Sequence, residues 1–394
     1  MSALVKVLLV TPSYHPIVGG SETAIRILST KLNEMGVQTD VMTFNMNRKW
    51  NPIWREATED NGLFKVFKVS AFNPARIFRI NPLELIKMYV VPKPNFTNRF
   101  KEYDIIHFQG EADVSFLLFS FFVRRPKLWT SHVNYAKLPR LKKLFRLVFP
   151  RLAYLYIAHD SKLLSDYGVS TSRSLVFQSF GVDTETFRPS ETKKTDNLIL
   201  FVGRITRSKG LHILLKTLAQ VTSPTRLAII GPTDDMKYAE TCIDMIKQLN
   251  ERGIHSAKYL GVMDEKSLIP WYQKAAILVR PDLDRFSGGL TSLEALSCGT
   301  PIIGTGNHVV RNGVNGLTVS PNNTKELADA LNELLQNREL REEYGMKGRK
   351  MIEECFSWQK IVQHLAKIYE AVLSNYRVRA KCSSRRVRDE LEAK

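Results

Sequence analysis

Asn197-Leu-Ile-Leu-Phe-Val-Gly203 runs straight into Arg204-Ile-Thr-Arg-Ser-Lys209-Gly210 and then into Leu211-His-Ile-Leu-Leu-Lys-Thr-Leu218. An apolar run of strand length, a polar turn closed by glycine and an apolar-periodic run make one strand-turn-helix unit. About ninety residues later comes Ser287-Gly288-Gly289-Leu290-Thr291-Ser-Leu-Glu294-Ala-Leu-Ser-Cys-Gly299-Thr-Pro301-Ile-Ile-Gly304. Here a glycine turn opens a second helix, with Glu294 about two turns in. A helix N-terminus offers unpaired amides and partial positive charge to a phosphate. Arg204 and Lys209 can add charge-assisted hydrogen bonds to a diphosphate, although two solvated cations beside a helix would look the same. Glu294 lies among Leu293, Ala295 and Leu296, where a carboxylate needs a hydroxyl or cation partner to offset its desolvation. A ribose diol would serve, and a helix-capping contact is the structural alternative.

Working outward, the chain opens with Lys6-Val-Leu-Leu-Val-Thr11, a fully apolar strand of the kind found in parallel sheets covered on both faces. Ser21 opens an amphipathic helix that Gly36 stops. Strands follow at residues 37–44 and 103–108. A second strand series comprises the run from Leu198, Arg226-Leu-Ala-Ile-Ile-Gly231, Ala275-Ala-Ile-Leu-Val-Arg280 and Pro301-Ile-Ile-Gly304. Strands alternating with helices predict two doubly wound α/β domains, with ligands at the carboxyl ends of their strands and in the cleft between the domains. The length of 394 residues agrees with two cores. The polar stretch at 187–197 reads as the linker, giving a first domain at 1–187 and a second at 197–355. Residues 45–100, rich in Asn and Pro, yield no assignment.

The four cysteines, Cys242, Cys298, Cys355 and Cys382, show no paired spacing, which argues against a zinc site or a disulfide framework and fits a reduced cytoplasm. The amino terminus enters a strand pattern directly, unlike a signal peptide. The longest largely apolar stretch, residues 114–123, is half the roughly 20 residues a spanning helix needs. The net charge of +18 is uneven. Residues 114–159 hold nine Lys/Arg and no Asp or Glu, and the tail at 377–394 holds seven basic residues against three acidic ones. Localised charge of this kind suggests a surface that meets anions. Within 137–151, apolar residues at 141, 144, 145 and 148 share one helix face, with Lys142, Lys143 and Arg146 on or beside the other. Such a basic amphipathic helix suits an anionic membrane interface, and a core-packed helix with a solvated basic face is the alternative.

In order and spacing, these pieces resemble the retaining glycosyltransferases of family 4, which have the GT-B architecture of two facing Rossmann-like domains. The resemblance covers most of the chain. It rests on Gly19-Gly20-Ser-Glu22, Phe180-Gly-Val-Asp183 with Phe187-Arg-Pro189, Gly203-Arg204 with Lys209-Gly210, and Leu293-Glu294-Ala295 with Gly299-Thr-Pro301. Asn312-Gly-Val-Asn-Gly316 and Phe356-Ser-Trp358 complete it. The resemblance implies a metal-independent transfer of a hexose-type sugar, with no cofactor beyond a UDP- or GDP-linked sugar as donor. Arg204 and Lys209 would hold the diphosphate, and Glu294 would grip the ribose. The backbone of Gly288, Gly289, Leu290 and Thr291 would approach the phosphates. Gly19 and Gly20 would line the cleft from the other domain, which would close to exclude water, and His132 would lie near the transferred sugar, unless it is a core residue. His107 also matches a family position but reads as structural. Residues 356–376 would form a helix crossing back onto the first domain, ahead of a basic tail at 377–394. The acceptor would be a lipid-linked or other membrane-proximal glycan, and the enzyme cytoplasmic and peripheral on the inner face of the membrane through 137–151 and the tail.

Two departures fall near the sugar pocket. The family usually carries a further glutamate eight positions before the ribose-binding one, where this chain has Phe286; Asp284 is close enough to substitute for it. The loop at 304–311 is shorter than usual and lacks the glycine pair followed by glutamate. A non-catalytic nucleotide-sugar binder therefore stands as an alternative. A basic nucleic-acid-binding protein is the alternative from another class, but no nucleic-acid recognition motif is present. Asp282-Leu-Asp284 matches the metal-binding Asp-X-Asp of a different glycosyltransferase fold, which nothing else here fits, so no metal site is expected.

Overall fold

The computed structural model describes residues 5–17, 20–47, 53, 55–70, 94–110, 120, 123–131, 153–158, 161–166, 168–233, 235–283, 289–306 and 309–392. The chain divides into two compact units, residues 1–179 with 361–394 and residues 180–360.

The first unit is built on strands β1 (Lys6–Thr11), β2 (Gln38–Phe44), β3 (Ala57–Asp60), β4 (Lys65–Val69), β5 (Ile105–Gln109), β6 (Lys127–Ser131), β7 (Leu155–Ala158) and β8 (Ser174–Val176). Their order is β3-β4-β2-β1-β5-β6-β7-β8. Only the pairing of β3 with β4 is antiparallel, and it lies at an edge where every β3 residue is exposed. The central strands are buried almost throughout, as their apolar sequences require. Helix α1 (Gly20–Glu34) presents Ala24, Ile25, Leu28 and Leu32 inward and ends at Gly36, whose φ of 83° makes the left-handed stop expected there. β3, β4 and a 3₁₀ segment, Pro94–Glu102, fall in the stretch that the sequence left unassigned. The short helix α2 (Ser161–Asp166) follows β7.

The second unit has an all-parallel sheet of β9 (Thr195–Val202), β10 (Arg226–Ile230), β11 (Ser256–Tyr259), β12 (Ala275–Arg280), β13 (Ile302–Gly304) and β14 (Gly316–Thr318), in the order β11-β10-β9-β12-β13-β14. Its helices are α3 (Leu211–Leu218), α4 (Met236–Glu251), α5 (Glu265–Lys274), α6 (Leu290–Ser297), α7 (Thr324–Gln336) and α8 (Arg338–Met351). The side chains of Asp235, Asp264, Asn323 and Asn337 cap α4, α5, α7 and α8. The division at 179/180 precedes the linker expected at 187–197. Phe187 is buried with Leu198 and Leu200 in the second unit's core, so it is not the end of the first domain. The 180–183 and 356–358 motifs meet: Val182 N–H donates to the Phe356 carbonyl and Trp358 N–H to that of Val182. A Cβ on Gly181 would lie 2.9 Å from this backbone, so the approach needs glycine.

Helix α9 (Trp358–Glu392) joins the first unit from Ile361 onward. Ile361, Leu365 and Tyr369 are fully buried, and each buried aliphatic side chain contributes about 2 kcal/mol. The Tyr369 hydroxyl is 2.8 Å from His107 Nδ1, while His107 Nε2 is 2.7 Å from the Thr130 hydroxyl. His107 is therefore the core residue that its sequence position suggested. Tyr369→Phe removes the closer of two partners of a buried ring nitrogen, the other being Gln109 Nε2 at 3.3 Å, and should cost about 1 kcal/mol, read by urea unfolding. An unchanged midpoint would show that the Tyr369–His107 bond does not help to hold α9.

Candidate active site

In the second sheet, β9 and β12 are neighbours from which the strand order runs in opposite directions, so their carboxyl ends form a topological switch point. The turn after β9 carries Arg204 and Lys209, and the turn after β12 carries Asp282. The two turns are tied together, since Leu283 N–H donates to the Ser208 carbonyl at 2.8 Å. Gly210, between Lys209 and α3, has φ 71°, and a Cβ there would lie 2.0 Å from the Pro281 carbonyl oxygen. Only glycine permits both the left-handed backbone and this approach.

Asp282 is buried and bridges two cations. Lys209 Nζ is 3.2 Å from Oδ1, and Arg280 Nη2 is 3.0 Å from Oδ2. Arg280 donates through Nη1 to the Ser292 hydroxyl on α6 at 2.9 Å. A polar chain thus runs from the β9 turn through Asp282 and Arg280 into the first turn of α6. Burial lowers the Lys209 pKa; Asp282 opposes the shift, while Arg280 and Arg204 add to it as neighbouring like charges. Lys209 and Arg280 on Asp282, with Arg204 close enough to act on Lys209, put cationic side chains near the first turn of α6, where the amides of Leu290 and Thr291 have no acceptor within the helix. Gly289 precedes them as N-cap. The amides at the start of α3 are less available than its sequence suggests, because His212 N–H donates to the Tyr238 hydroxyl at 3.1 Å.

Glu294 is the fifth residue of α6, about one turn in rather than two. It is half-buried, and Tyr272, a fully buried residue of α5, donates its hydroxyl to Oε2 at 2.6 Å. Burial pushes the Glu294 carboxyl up to about 7; the Tyr272 bond and Arg280 act downward, and Glu265 acts upward. The contact is neither a helix cap nor an ion pair, so the carboxylate's second oxygen remains for a ligand. Below, Lys194 Nζ bonds the carbonyls of Tyr272, Gln273 and Cys298 and the Thr300 hydroxyl, joining the C-terminal ends of α5 and α6.

The structure therefore brings Arg204, Lys209, Gly289, Leu290, Thr291 and Glu294 into one unit. Gly20 opens α1 of the first unit and is exposed. Gly19, His132, Asp284, Gly288 and the 137–151 segment lie outside the described residues. Sequence reasoning missed Asp282, Arg280, Ser292 and Tyr272 as parts of the site. Asp282 was visible only as half of an Asp-X-Asp pair, yet both of its oxygens face cations. Among the described residues no cluster of His, Cys, Asp or Glu is able to hold a metal ion.

The profile of the family described as glycosyl transferases group 1 matches residues 182–351, the span that carries this site. That span carries the sequence pattern of the family. The chain's similarity to the O-antigen chain mannosyltransferase C of Escherichia coli is 25% identity, covering 94% of this chain and 99% of that one. In structure, the chain is similar to the sucrose-phosphate synthase of Thermosynechococcus elongatus, with TM-score 0.72, 18% identity and coverage of 94% and 100%. It is also similar to Anabaena HepE in complex with UDP, with TM-score 0.71, 18% identity and coverage of 93% and 100%. These structural likenesses show the GT-B fold expected from the sequence. Among the described residues no helix is long and apolar enough to cross a membrane.

The raised Glu294 pKa has a signed consequence for stability. The folded protein holds this proton more tightly than the unfolded chain, so the contribution is complete below the unfolded value of about 4.5 and is lost as pH rises through about 7. Without ligand, stability should therefore fall across this window, and Glu294→Gln should flatten that part of the profile. Parallel wild-type and variant curves from pH 4.5 to 7.5 would contradict the assignment.

Proposed function

We propose that this protein is a retaining glycosyltransferase of family 4 that moves a hexose-type sugar from a UDP- or GDP-linked donor to a lipid-linked or other membrane-proximal glycan, without a metal. The observation that carries the reading is the pair of cations Lys209 and Arg280 on Asp282, with Arg204 acting on Lys209, linked through Ser292 to the first turn of α6, the helix that carries Glu294. Departure of a nucleoside diphosphate puts negative charge on the oxygen that leaves the sugar. Fixed cations and helix amides stabilise that charge without the reorganisation that water would need. In this reading Arg204 and Lys209 hold the diphosphate, the Gly288–Thr291 backbone approaches its oxygens, and Glu294 accepts from the ribose hydroxyls. The acceptor hydroxyl approaches on the leaving-group face and passes its proton to the departing phosphate.

Asp284 supplies the sugar-side carboxylate that Phe286 cannot, and His132, Gly19 and Gly20 contribute from the first unit. The mannosyltransferase similarity supports a hexose donor and a glycan acceptor, and the UDP complex of HepE supports a nucleotide-sugar donor. The excess of basic residues at 137–151 and in the tail supports attachment to an anionic leaflet, on the inner face of the membrane of a cytoplasmic enzyme.

Donor hydrolysis and thermal denaturation with UDP, GDP, ADP and their sugar conjugates test the reading. One nucleotide at about 100 times its dissociation constant should stabilise the protein by about 2.7 kcal/mol. Arg204→Ala should remove most of this, and Asp284→Asn should lower turnover at least tenfold while leaving nucleotide binding intact. No stabilisation by any diphosphate would overturn the donor site; undiminished turnover in Asp284→Asn would overturn that residue's role. Flotation with phosphatidylserine-containing vesicles at low salt should recover the protein, and its failure would remove the membrane assignment.

A further inference from the structure

Glu294 presents a carboxylate with one oxygen already engaged. The Tyr272 hydroxyl holds Oε2, and among the described residues no donor bonds Oε1. Tyr272 is in turn fixed on several sides. Its ring is fully buried and packs edge-on against Phe187, with centroids 6.1 Å apart. Its carbonyl accepts from the Thr300 hydroxyl at 2.5 Å and from Lys194 Nζ at 3.4 Å. The same lysine bonds the Cys298 carbonyl just past α6, so the helices carrying the hydroxyl and the carboxylate share one clamp. A buried tyrosine hydroxyl needs only some acceptor. Here the acceptor is the half-buried carboxylate one turn from the cation cluster.

We propose that Tyr272 is a positioning residue of the nucleotide site: it fixes Oε2 of Glu294, leaves Oε1 to accept from the vicinal hydroxyls of a ribose, and so sets a preference for ribonucleotides over 2′-deoxyribonucleotides. The proposal rests on the nucleotide-binding reading above. An unrestrained glutamate would lose rotamer freedom on binding and would share its oxygens with water, so its discrimination between the two sugars would be smaller. The preference is also pH-dependent, because only the ionised carboxylate accepts from both hydroxyls. Besides burial, the groups that act on this titration are Tyr272 and Glu265 from α5 and Arg280 from β12; Cys298, at the end of α6, is instead a thiol on which Glu294 acts. With the carboxyl near pH 7, discrimination is strong at pH 8 and weak at pH 6.

Calorimetric titration of the full chain with UDP, 2′-deoxy-UDP, GDP, 2′-deoxy-GDP and inorganic pyrophosphate, at pH 6 and pH 8, tests this. The wild type should bind the matching ribonucleotide about tenfold more tightly than its deoxy form at pH 8, the equivalent of one charge-assisted hydrogen bond. Tyr272→Phe should bring that ratio close to one while leaving pyrophosphate affinity unchanged. Glu265 is exposed at the start of α5, so Glu265→Gln provides a second variant that does not disturb the core. It should keep the ratio at pH 8 and retain more of it at pH 6, because a neighbouring negative charge is gone. A wild-type ratio in Tyr272→Phe, or an unaltered pH response in Glu265→Gln, would overturn the proposal. Nucleotide binding with no ribose preference would also overturn it, leaving the donor site intact. Failure of the wild type to bind any diphosphate would instead overturn the nucleotide-binding reading itself.

Discussion

One buried carboxylate, Asp282, held between Lys209 and Arg280, sets the geometry of the second unit's working end. A buried charge without a partner is strongly destabilising, and breaking such a pair typically costs about 3–5 kcal/mol. The constraint acts in both directions. The cations make burial of Asp282 tolerable, and Asp282 keeps two cations near one another that would otherwise repel. The backbone follows from this, because the turns after β9 and β12 must lie close enough for Leu283 to bond Ser208 and for Gly210 to graze Pro281.

Around that pair the site is layered from the sheet outward. The strands fix where the turns emerge. Arg280 carries the polar chain into α6 through Ser292, and Lys194 closes the far ends of α5 and α6. Glu294 is held from α5 through Tyr272 and lies within electrostatic reach of Arg280. The cations and the carboxylate are therefore carried by separate elements of one framework, an arrangement that suits the proposed nucleoside diphosphate. In the first unit the corresponding buried polar link is structural: His107 spans from Thr130 on β6 to Tyr369 on α9 and uses both ring nitrogens in doing so.

Most of the fold was legible because its strands are buried on both faces and so read as unbroken apolar runs, as at β1, β9, β10 and β12. The glycine turns were legible for a similar reason, since Gly210 and Gly36 occupy backbone that other residues resist. Short and exposed elements gave no such signal; β3, Ala-Thr-Glu-Asp, has no apolar face to betray it. The domain boundary was misplaced because 187–197 is polar in sequence while Phe187 anchors it in the core. Within the site, Arg204, Lys209 and Glu294 could be picked out because charge beside glycine turns or amid apolar helix residues is conspicuous. Tyr272 could not, as it lies 22 residues before Glu294 on another helix and looks like any core tyrosine. Asp282 was visible but misdirecting, because a sequence does not disclose that two cations converge on it.

The central claim is that a nucleoside diphosphate sugar occupies the switch point between β9 and β12. Hydrogen–deuterium exchange of the full chain, with and without UDP- or GDP-sugars, examines that claim at the backbone itself. The account predicts slowed exchange in peptides covering residues 203–212 and 289–294 with one of these donors. Protection confined to other segments, with these two unchanged at saturating ligand, would contradict it.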